Sequence, residues 1–208
     1  VESFLYILGF ISMLLGLTMK RHNGNSIASN QYHRSMSLIM DMKDPKNIVR
    51  EDNEIIMMKD KYPKAQYHYL LLPKLDIPSL WHVKKEHKNL LLHMDKMAQE
   101  LTKEHLGFEF LIGYHAVPSM QRLHLHVVST DFDSACLKTM RHWNGFNTPN
   151  FLLSSDICNQ LREGEKLERI PRKITEQYFK THLKCNRCSA TPKNMPELKR
   201  HLKSHLLS

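Results

Sequence analysis

Apolar side chains crowd residues 4–17, interrupted by Gly9, Ser12 and Gly16, and the chain then turns polar through residues 20–32 with no apolar period. That second stretch reads as a flexible lead-in. Beyond it, residues 35–42 carry a helical pattern that stops near Asp44-Pro45, because the residue before a proline avoids the helical region. Residues 47–50 and 54–59 are predicted as short strands around a polar turn. Residues 67–72 form a strongly apolar strand closed by Pro73. From 79 to 105 apolar positions fall at Leu80, Val83, Leu90, Leu91, Met94, Met97, Ala98 and Leu101, a 3.6-residue period ended by Gly107. Residues 108–114 and 123–129 read as two further strands. Together these predict one compact unit of mixed helices and strands. The methionines within the long helical stripe are read as core rather than as a binding groove.

The apolar run at residues 4–17 is short of the roughly 20 residues that a membrane-spanning helix needs. No positive stretch precedes it, as a secretory signal would require. The chain opens with Val, and two readings of the run stand: initiation at Met19, or a signal-anchor or targeting segment.

Thirty Lys and Arg against twenty-one Asp and Glu leave a formal charge of +9 over 208 residues. This excess suits a polyanionic partner, nucleic acid or a lipid surface, without choosing between them. Four cysteines in a chain this long do not make a disulfide scaffold. Cys136 and Cys158 show no pairing logic, and a reducing compartment is expected.

The other two cysteines are spaced for metal. Cys185-x2-Cys188 is followed by twelve residues and then His201-x3-His205, the spacing of a two-Cys two-His zinc finger. A tight turn brings two thiolates to one side of the ion, and two histidines four apart share a helix face and close the tetrahedron. Pro196 fits the first turn of that helix. Leu183, Leu198 and Leu202 supply a minimal apolar filling, with Pro192 where such fingers usually carry an aromatic. Lys184, Lys199 and Arg200 are among the cations that make the finger basic, which suits phosphate contacts. A solvated charged face is the other reading. A lone finger reads about three base pairs, so it is better fitted to gripping a backbone beside another domain.

The densest chemistry lies in Arg122-Leu-His124-Leu-His126. Strand alternation sends Leu123, Leu125 and Val127 into the core and places Arg122, His124 and His126 on the opposite face. Two imidazoles about 7 Å apart on one strand face, beside an arginine, suit an anion. The segment GYHAVPSM brings His115 and Ser119 into the loop entering that strand. Such a set is able to hold a phosphate and to attack it; a polar solvent-facing strand with incidental histidines is the alternative.

The run His124-Leu-His126-Val-Val resembles the histidine-triad (HIT) signature, and KDKYPKA followed by His68 and LLLP resembles that family's nucleotide-binding loop and strand. With GYHAVPSM, the segment from Ser129 to Ser134, His142-Trp-Asn-Gly-Phe-Asn147 and a C-terminal finger, residues 33–208 resemble the aprataxin branch of that superfamily. The resemblance implies an α+β histidine-triad fold, with an antiparallel sheet and flanking helices, plus a small C2H2-type zinc finger. It implies a segment at 1–32, a catalytic domain at 33–150, and a connecting helix and finger at 151–208. The implied activity is DNA repair: removal of AMP from 5′-adenylated DNA ends left by abortive ligation, through a covalent histidyl-AMP.

On that resemblance His124 is the nucleophile, His126 and Ser119 hold the phosphoryl oxygens, and His115 protonates the departing DNA phosphate. Asp60 accepts hydrogen bonds from the AMP ribose. Ser35, Leu38 and Met42 lie on the helix that meets the terminal base pair and adenine, and Lys64 stands in the nucleotide loop. Lys74, Asp133, Ser134 and Arg141 are, with Lys64, candidates for contacting the DNA end, and Trp143 is read as packing the finger against the catalytic unit, with stacking on a base as the alternative. Zinc is structural and catalysis needs no metal. The implied partners are adenylated double-stranded ends and nicks, damaged or mismatched ones included, met by a monomer in the nucleus.

Two departures qualify this. Arg122 stands where the triad has its first histidine; it cannot act as acid or base but is able to offer fixed charge to a phosphate. No forkhead-associated domain is present in this sequence, so contact with a phosphorylated scaffold by that route is not expected. A histidine-triad hydrolase of small adenylated nucleotides and an inactive zinc-finger DNA-binding module are the alternatives.

Overall fold

The computed structural model describes residues 36–206; Ser35 and the segment at 1–32 lie outside the described residues. Six strands form one antiparallel sheet: β1 (Ile48–Glu51), β2 (Ile55–Lys59), β3 (His68–Pro73), β4 (Phe110–His115), β5 (Leu125–Ser129) and β6 (Phe151–Leu153). They are ordered β1-β2-β3-β5-β4-β6. Around the sheet lie α1 (residues 36–41), α2 (Lys88–Thr102), α3 (Met140–Asn147), α4 (Ser154–Glu163), α5 (Arg172–Phe179) and α6 (Met195–Ser204).

Both faces of the sheet are covered, which is why β2 and β3 read as unbroken apolar runs rather than alternating ones. On one face Ile55, Met57, Tyr69, Leu71, Leu123, Leu125 and Val127 pack against Leu90, Leu91, Met94, Met97, Ala98 and Leu101 of α2 and against Ile157 and Leu161 of α4. On the other, Ile56, Met58, Leu70 and Leu72 meet Leu38 and Met42. Next to them Val128, Phe132, Trp143, Phe146 and Phe151 join the finger's Leu183, Leu198 and Leu202 in a third cluster.

The long helix is shorter than the periodicity predicts. It begins at Lys88, and residues 79–87 form 3-10 turns at Leu80–His82 and Lys85–His87. The backbones of Ser79 and Val83 are extended, so Leu80 reaches the core from a turn instead of a helix. The helix also ends at Thr102, before the turn in which Gly107 takes φ +84°. Beyond residue 150, β6 pairs with β4 and α4 packs on α2. The expected division at 150/151 therefore runs through the sheet, and the connecting segment supplies its edge strand and a helix of its cover.

The finger is docked on this unit. Trp143 is 1% exposed, and its indole N–H donates to the Lys184 carbonyl at 3.1 Å. Asn186 Nδ2 donates to the Thr130 carbonyl (2.9 Å) and Lys199 Nζ to the Ser134 carbonyl (2.8 Å). Trp143 thus has the anchoring place expected of it, and Pro192 is buried where an aromatic would otherwise fill the finger.

Candidate active site

Four imidazoles meet on the sheet face opposite α2. The ring centroids of His126 lie 4.8 Å from His124, 4.5 Å from His115 and 5.2 Å from His68. The β3–β5 register explains the fourth: Leu70 faces His126 and His68 faces Val128, so His68 sits diagonally across from His126 on the same face. His115 ends β4, and Phe146 and Phe151 close the cluster edge-on at 4.6 and 5.6 Å from its ring.

The hydrogen bonds assign the protons. His124 Nδ1 lies 2.7 Å from the Arg122 carbonyl. A carbonyl only accepts, so Nδ1 carries the proton and Nε2 keeps its lone pair. For His126 the assignment comes from further away. The Lys64 backbone N–H donates to His68 Nδ1 at 3.0 Å, so the neutral His68 ring is protonated on Nε2 and donates to His126 Nδ1 at 2.9 Å. His126 must then carry its proton on Nε2, and that buried atom has no hydrogen-bond partner. The site therefore sets a nucleophilic nitrogen on His124 beside an unspent N–H donor on His126.

Burial keeps these rings neutral. Desolvation is the main cause in all four, and neighbouring positive charge adds to it for His68, His115 and His126. His68 is pushed down to about 4 against the opposing pull of Asp60, and His115 to about 3. His124 is lowered, and His126 lies well below the usual imidazole value. A neutral His124 keeps on Nε2 the lone pair that a nucleophile needs. Neutral His115, by contrast, is not a ready acid until an anion arrives to raise its affinity for a proton.

Several expected site residues take other places. Arg122 does not share the face of His124 and His126: β5 begins only at Leu125, and Arg122 has φ +119°. Its Nη1 and Nη2 go to the Pro73 and Lys74 carbonyls and to Asp76, and its buried Nε has no hydrogen-bond partner. Ser119 is exposed, and no hydrogen bond of its hydroxyl to the imidazoles is found. Leu38 and Met42 are buried against the sheet; Met36 and Met40 are the exposed apolar residues of their helix. Asp60 uses Oδ1 to accept the Tyr62 N–H at 2.7 Å, which shapes the loop after β2, and sets Oδ2 3.4 Å from His68 Nδ1 at the edge of the cluster. Lys64 Nζ donates to the Tyr62 carbonyl. Among the expected DNA contacts, Lys74 pairs with Glu51 and Arg141 with Glu176 while lying over the Phe179 ring. Lys199 is held by the Ser134 and Leu137 carbonyls, and the Ser134 hydroxyl donates to the Pro63 carbonyl at 2.6 Å. Asp133, Lys184 and Arg200 are exposed. His68, which the sequence reading named only as part of a resembling strand, is the member of the cluster to which it gave no role. Its signal was one polar side chain at the start of an otherwise apolar strand.

The finger residues converge as their spacing requires. One donor atom each from Cys185, Cys188, His201 and His205 lie within 4.8 Å of one another. Cys188 Sγ is 3.1 Å from His201 Nε2, Cys185 Sγ is 3.5 Å from His205 Nε2, and the two Nε2 atoms are 3.1 Å apart. Zinc bonds of about 2.3 Å to sulfur and 2.0–2.1 Å to nitrogen give tetrahedral edges near these lengths. The residues fit Zn²⁺, and four protein ligands leave no open position, the mark of a structural site. Asp60, His68 and His126 also lie close together, but each nitrogen of His68 faces a different partner, which is the geometry of a hydrogen-bond chain.

An antiparallel sheet carrying paired histidines on one face, followed by a docked zinc finger, defines a histidine-triad protein with a C-terminal finger. The chain belongs to the family described as scavenger mRNA decapping enzyme C-term binding, whose model matches residues 35–142. A second model, the C2HE / C2H2 / C2HC zinc-binding finger, matches residues 147–208. Its curated relatives include the aprataxin of Ciona intestinalis, 42% identical over 189 residues, which cover 89% of this chain and 49% of the relative. The aprataxin of Gallus gallus is 44% identical over 176 residues, covering 83% and 55%. The chain spans about half the length of these relatives. A solved structure described as the aprataxin ortholog Hnt3 in complex with DNA matches with a TM-score of 0.69 at 23% identity, over 83% of this chain and 94% of that one. The Schizosaccharomyces pombe Hnt3 structure matches with a TM-score of 0.67 at 24% identity, over 81% and 89%. These structures support the fold.

Proposed function

We propose that this chain is a DNA-repair hydrolase that removes AMP from 5′-adenylated DNA ends. The observation that carries the reading is the opposite tautomers of His124 and His126, fixed by the Arg122 carbonyl and by the His68 relay. His124 Nε2 attacks the phosphorus of the adenylate. The bond from that phosphorus to the pyrophosphate's bridging oxygen breaks, and the DNA leaves with its 5′-phosphate. His126 Nε2–H meets the charge that builds on the non-bridging oxygens. His115, beside both rings, takes up a proton once the anionic substrate offsets its desolvation, and delivers it to the departing phosphate. Water then gives a proton to the now neutral His115 and attacks the histidyl-AMP phosphorus; the P–N bond breaks, AMP leaves and His124 is restored with its Nδ1 proton. No step requires a metal, and zinc in the finger holds the docked DNA-facing module.

Three things favour DNA over a small adenylate: the net charge of +9, the exposed cations Lys184 and Arg200 on the finger, and the aprataxin relatives. Nicks and ends, including damaged or mismatched ones, are the substrates we propose, met by a monomer in the nucleus. The test is AMP release from an adenylated nicked duplex, beside a free dinucleotide at equal concentration. DNA should be turned over far faster, with a rate that falls as salt rises. His124→Ala should abolish release and the trapping of labelled AMP on the protein. Retained turnover in that variant, or preference for the dinucleotide, removes the reading.

A further inference from the structure

The two proton assignments differ in origin. His126 is set by a histidine and a loop amide, whereas His124 is set by the carbonyl of the one triad position where this chain carries arginine. That carbonyl is aimed by an unusual backbone. Arg122 has φ +119°, one of two non-glycine residues with positive φ among those described. An L-residue stays there only where its surroundings hold it.

What holds it is the Arg122 side chain, together with two backbone bonds. The guanidinium reaches the end of β3, where Nη2 donates to the Pro73 carbonyl at 2.9 Å and to the Lys74 carbonyl at 3.0 Å, and Nη1 meets Asp76 Oδ1 at 3.0 Å. The side chain is 11% exposed, whereas that of Asp76 is 84% exposed, so the two carbonyls are the sheltered half of the clamp. The Arg122 N–H donates to the Pro78 carbonyl at 2.8 Å, and the Leu123 N–H to the Ile77 carbonyl at 2.7 Å. A planar fork with five N–H donors suits two carbonyls and a carboxylate at once; an ammonium does not.

We propose that Arg122 is a positioning residue that acts through its own backbone, its guanidinium clamping the end of β3 so that its carbonyl fixes the tautomer of His124. Its Nη1 and Nη2 donors are engaged within the protein, only Nε lacks a partner, and the role proposed for it needs neither a proton transfer nor a phosphate contact. The inference rests on the reading of His124 as nucleophile.

The experiment compares wild type, Arg122→Ala and Arg122→Lys on the adenylated nicked duplex, with ¹⁵N imidazole spectra of each, the His124 signals identified by their loss in His124→Ala. Arg122→Ala should lower kcat by about ten- to a hundred-fold, the scale of a displaced reacting group, with KM changed by less than about three-fold. Its His124 should shift from a single Nδ1-protonated tautomer to a mixture. Arg122→Lys should recover only part of kcat and stay mixed, and it keeps the test alive should the alanine variant not fold. A folded variant lacking the guanidinium that keeps both wild-type kcat and a single tautomer overturns the proposal. His124→Ala separates the two levels: turnover in that variant sinks the nucleophile itself, whereas a dead His124→Ala beside a fully active Arg122→Ala sinks only the clamp.

Discussion

His68 and His126 meet nitrogen to nitrogen at 2.9 Å, across two strands and 58 positions of sequence. Because the far nitrogen of His68 is filled by the Lys64 amide, the pair works as a one-way relay that ends on the unpartnered Nε2–H of His126. His68→Leu should therefore cost activity without touching substrate, by freeing His126 to adopt the other tautomer. Loss of one donor aimed at a developing oxyanion typically costs about 10²–10³ in kcat, and His126→Asn should approach that. The double variant should be no worse than His126→Asn alone, since the two residues act as a unit. Steady-state kcat of the three proteins checks this, and losses that multiply would mean that His68 acts independently of His126.

The same burial makes the fold sensitive to acid. His68 titrates near 6.5 when unfolded and near 4 when folded, so between those values the unfolded chain binds a proton that the native one refuses. Stability is therefore complete above pH 6.5 and declines as pH falls toward 4. The slope from this group approaches about 1.4 kcal/mol per pH unit within the window. The direction is the same for His115, His124 and His126. Urea midpoints at fixed m should fall from pH 6.5 to 4.5, and His68→Leu should flatten the curve. Activity follows the same logic: the acid limb of kcat/KM should lie below 6.5, because His124 stays unprotonated in mildly acidic solution.

Much of this site is legible in the chain, and the physical reason is periodicity. The alternation in Leu123–Val127 places His124 and His126 on one face without any structure, and the finger declares its four ligands by spacing. Other features depend on which backbone groups the fold brings close. The donor role of His126 is set by an amide in a loop far from it in sequence. Arg122 defeats the alternation rule because the strand has not yet begun at that position. Three-residue β6 is too short to show a period, and the polar run at residues 84–89 marks the true start of α2 better than Leu80 and Val83 suggest. Surface cations mislead for a related reason: nothing in the sequence shows that Lys199 and Arg141 already have partners.

Gly113 supplies a prediction about the sheet beneath the cluster. It pairs with His126 on one side and Leu153 on the other. A Cβ built there would lie 2.3 Å from the Leu152 carbonyl oxygen and 2.8 Å from Phe151 Cε1. The carbonyl belongs to backbone, so β6 itself would have to move. Gly113→Ala should destabilise the protein by about 1–3 kcal/mol, the usual scale of overpacking. It should also lower kcat by displacing Phe151, which flanks His115 and His126. Denaturant melts measure the first effect and single-turnover AMP release the second. An alanine variant of wild-type stability would show that β6 is free to shift.

Zinc removal tests how the finger serves the enzyme. Trp143 is buried between Phe132, 5.0 Å away, and the finger's leucines, and its N–H is held by the Lys184 carbonyl. A finger stripped of metal has little more than Leu183, Leu198 and Leu202, with Ala190 and Met195 at their edge, as its apolar filling, too little to stay folded. Chelation, or Cys188→Ala, should therefore expose Trp143 and red-shift its emission, read in a Trp81→Phe background. Affinity for a nicked duplex should fall by about ten-fold or more, with a shallower salt dependence as finger cations such as Lys184 and Arg200 lose their fixed places. Hydrolysis of a small adenylate should suffer less, because the four imidazoles are held by β3, β4, β5 and the segment leading into β5, and not by the finger. A loss on the small adenylate that matches the loss on DNA would instead show that the Lys199–Ser134 and Ser134–Pro63 contacts carry the finger's fold into the nucleotide loop, making zinc a support of catalysis itself.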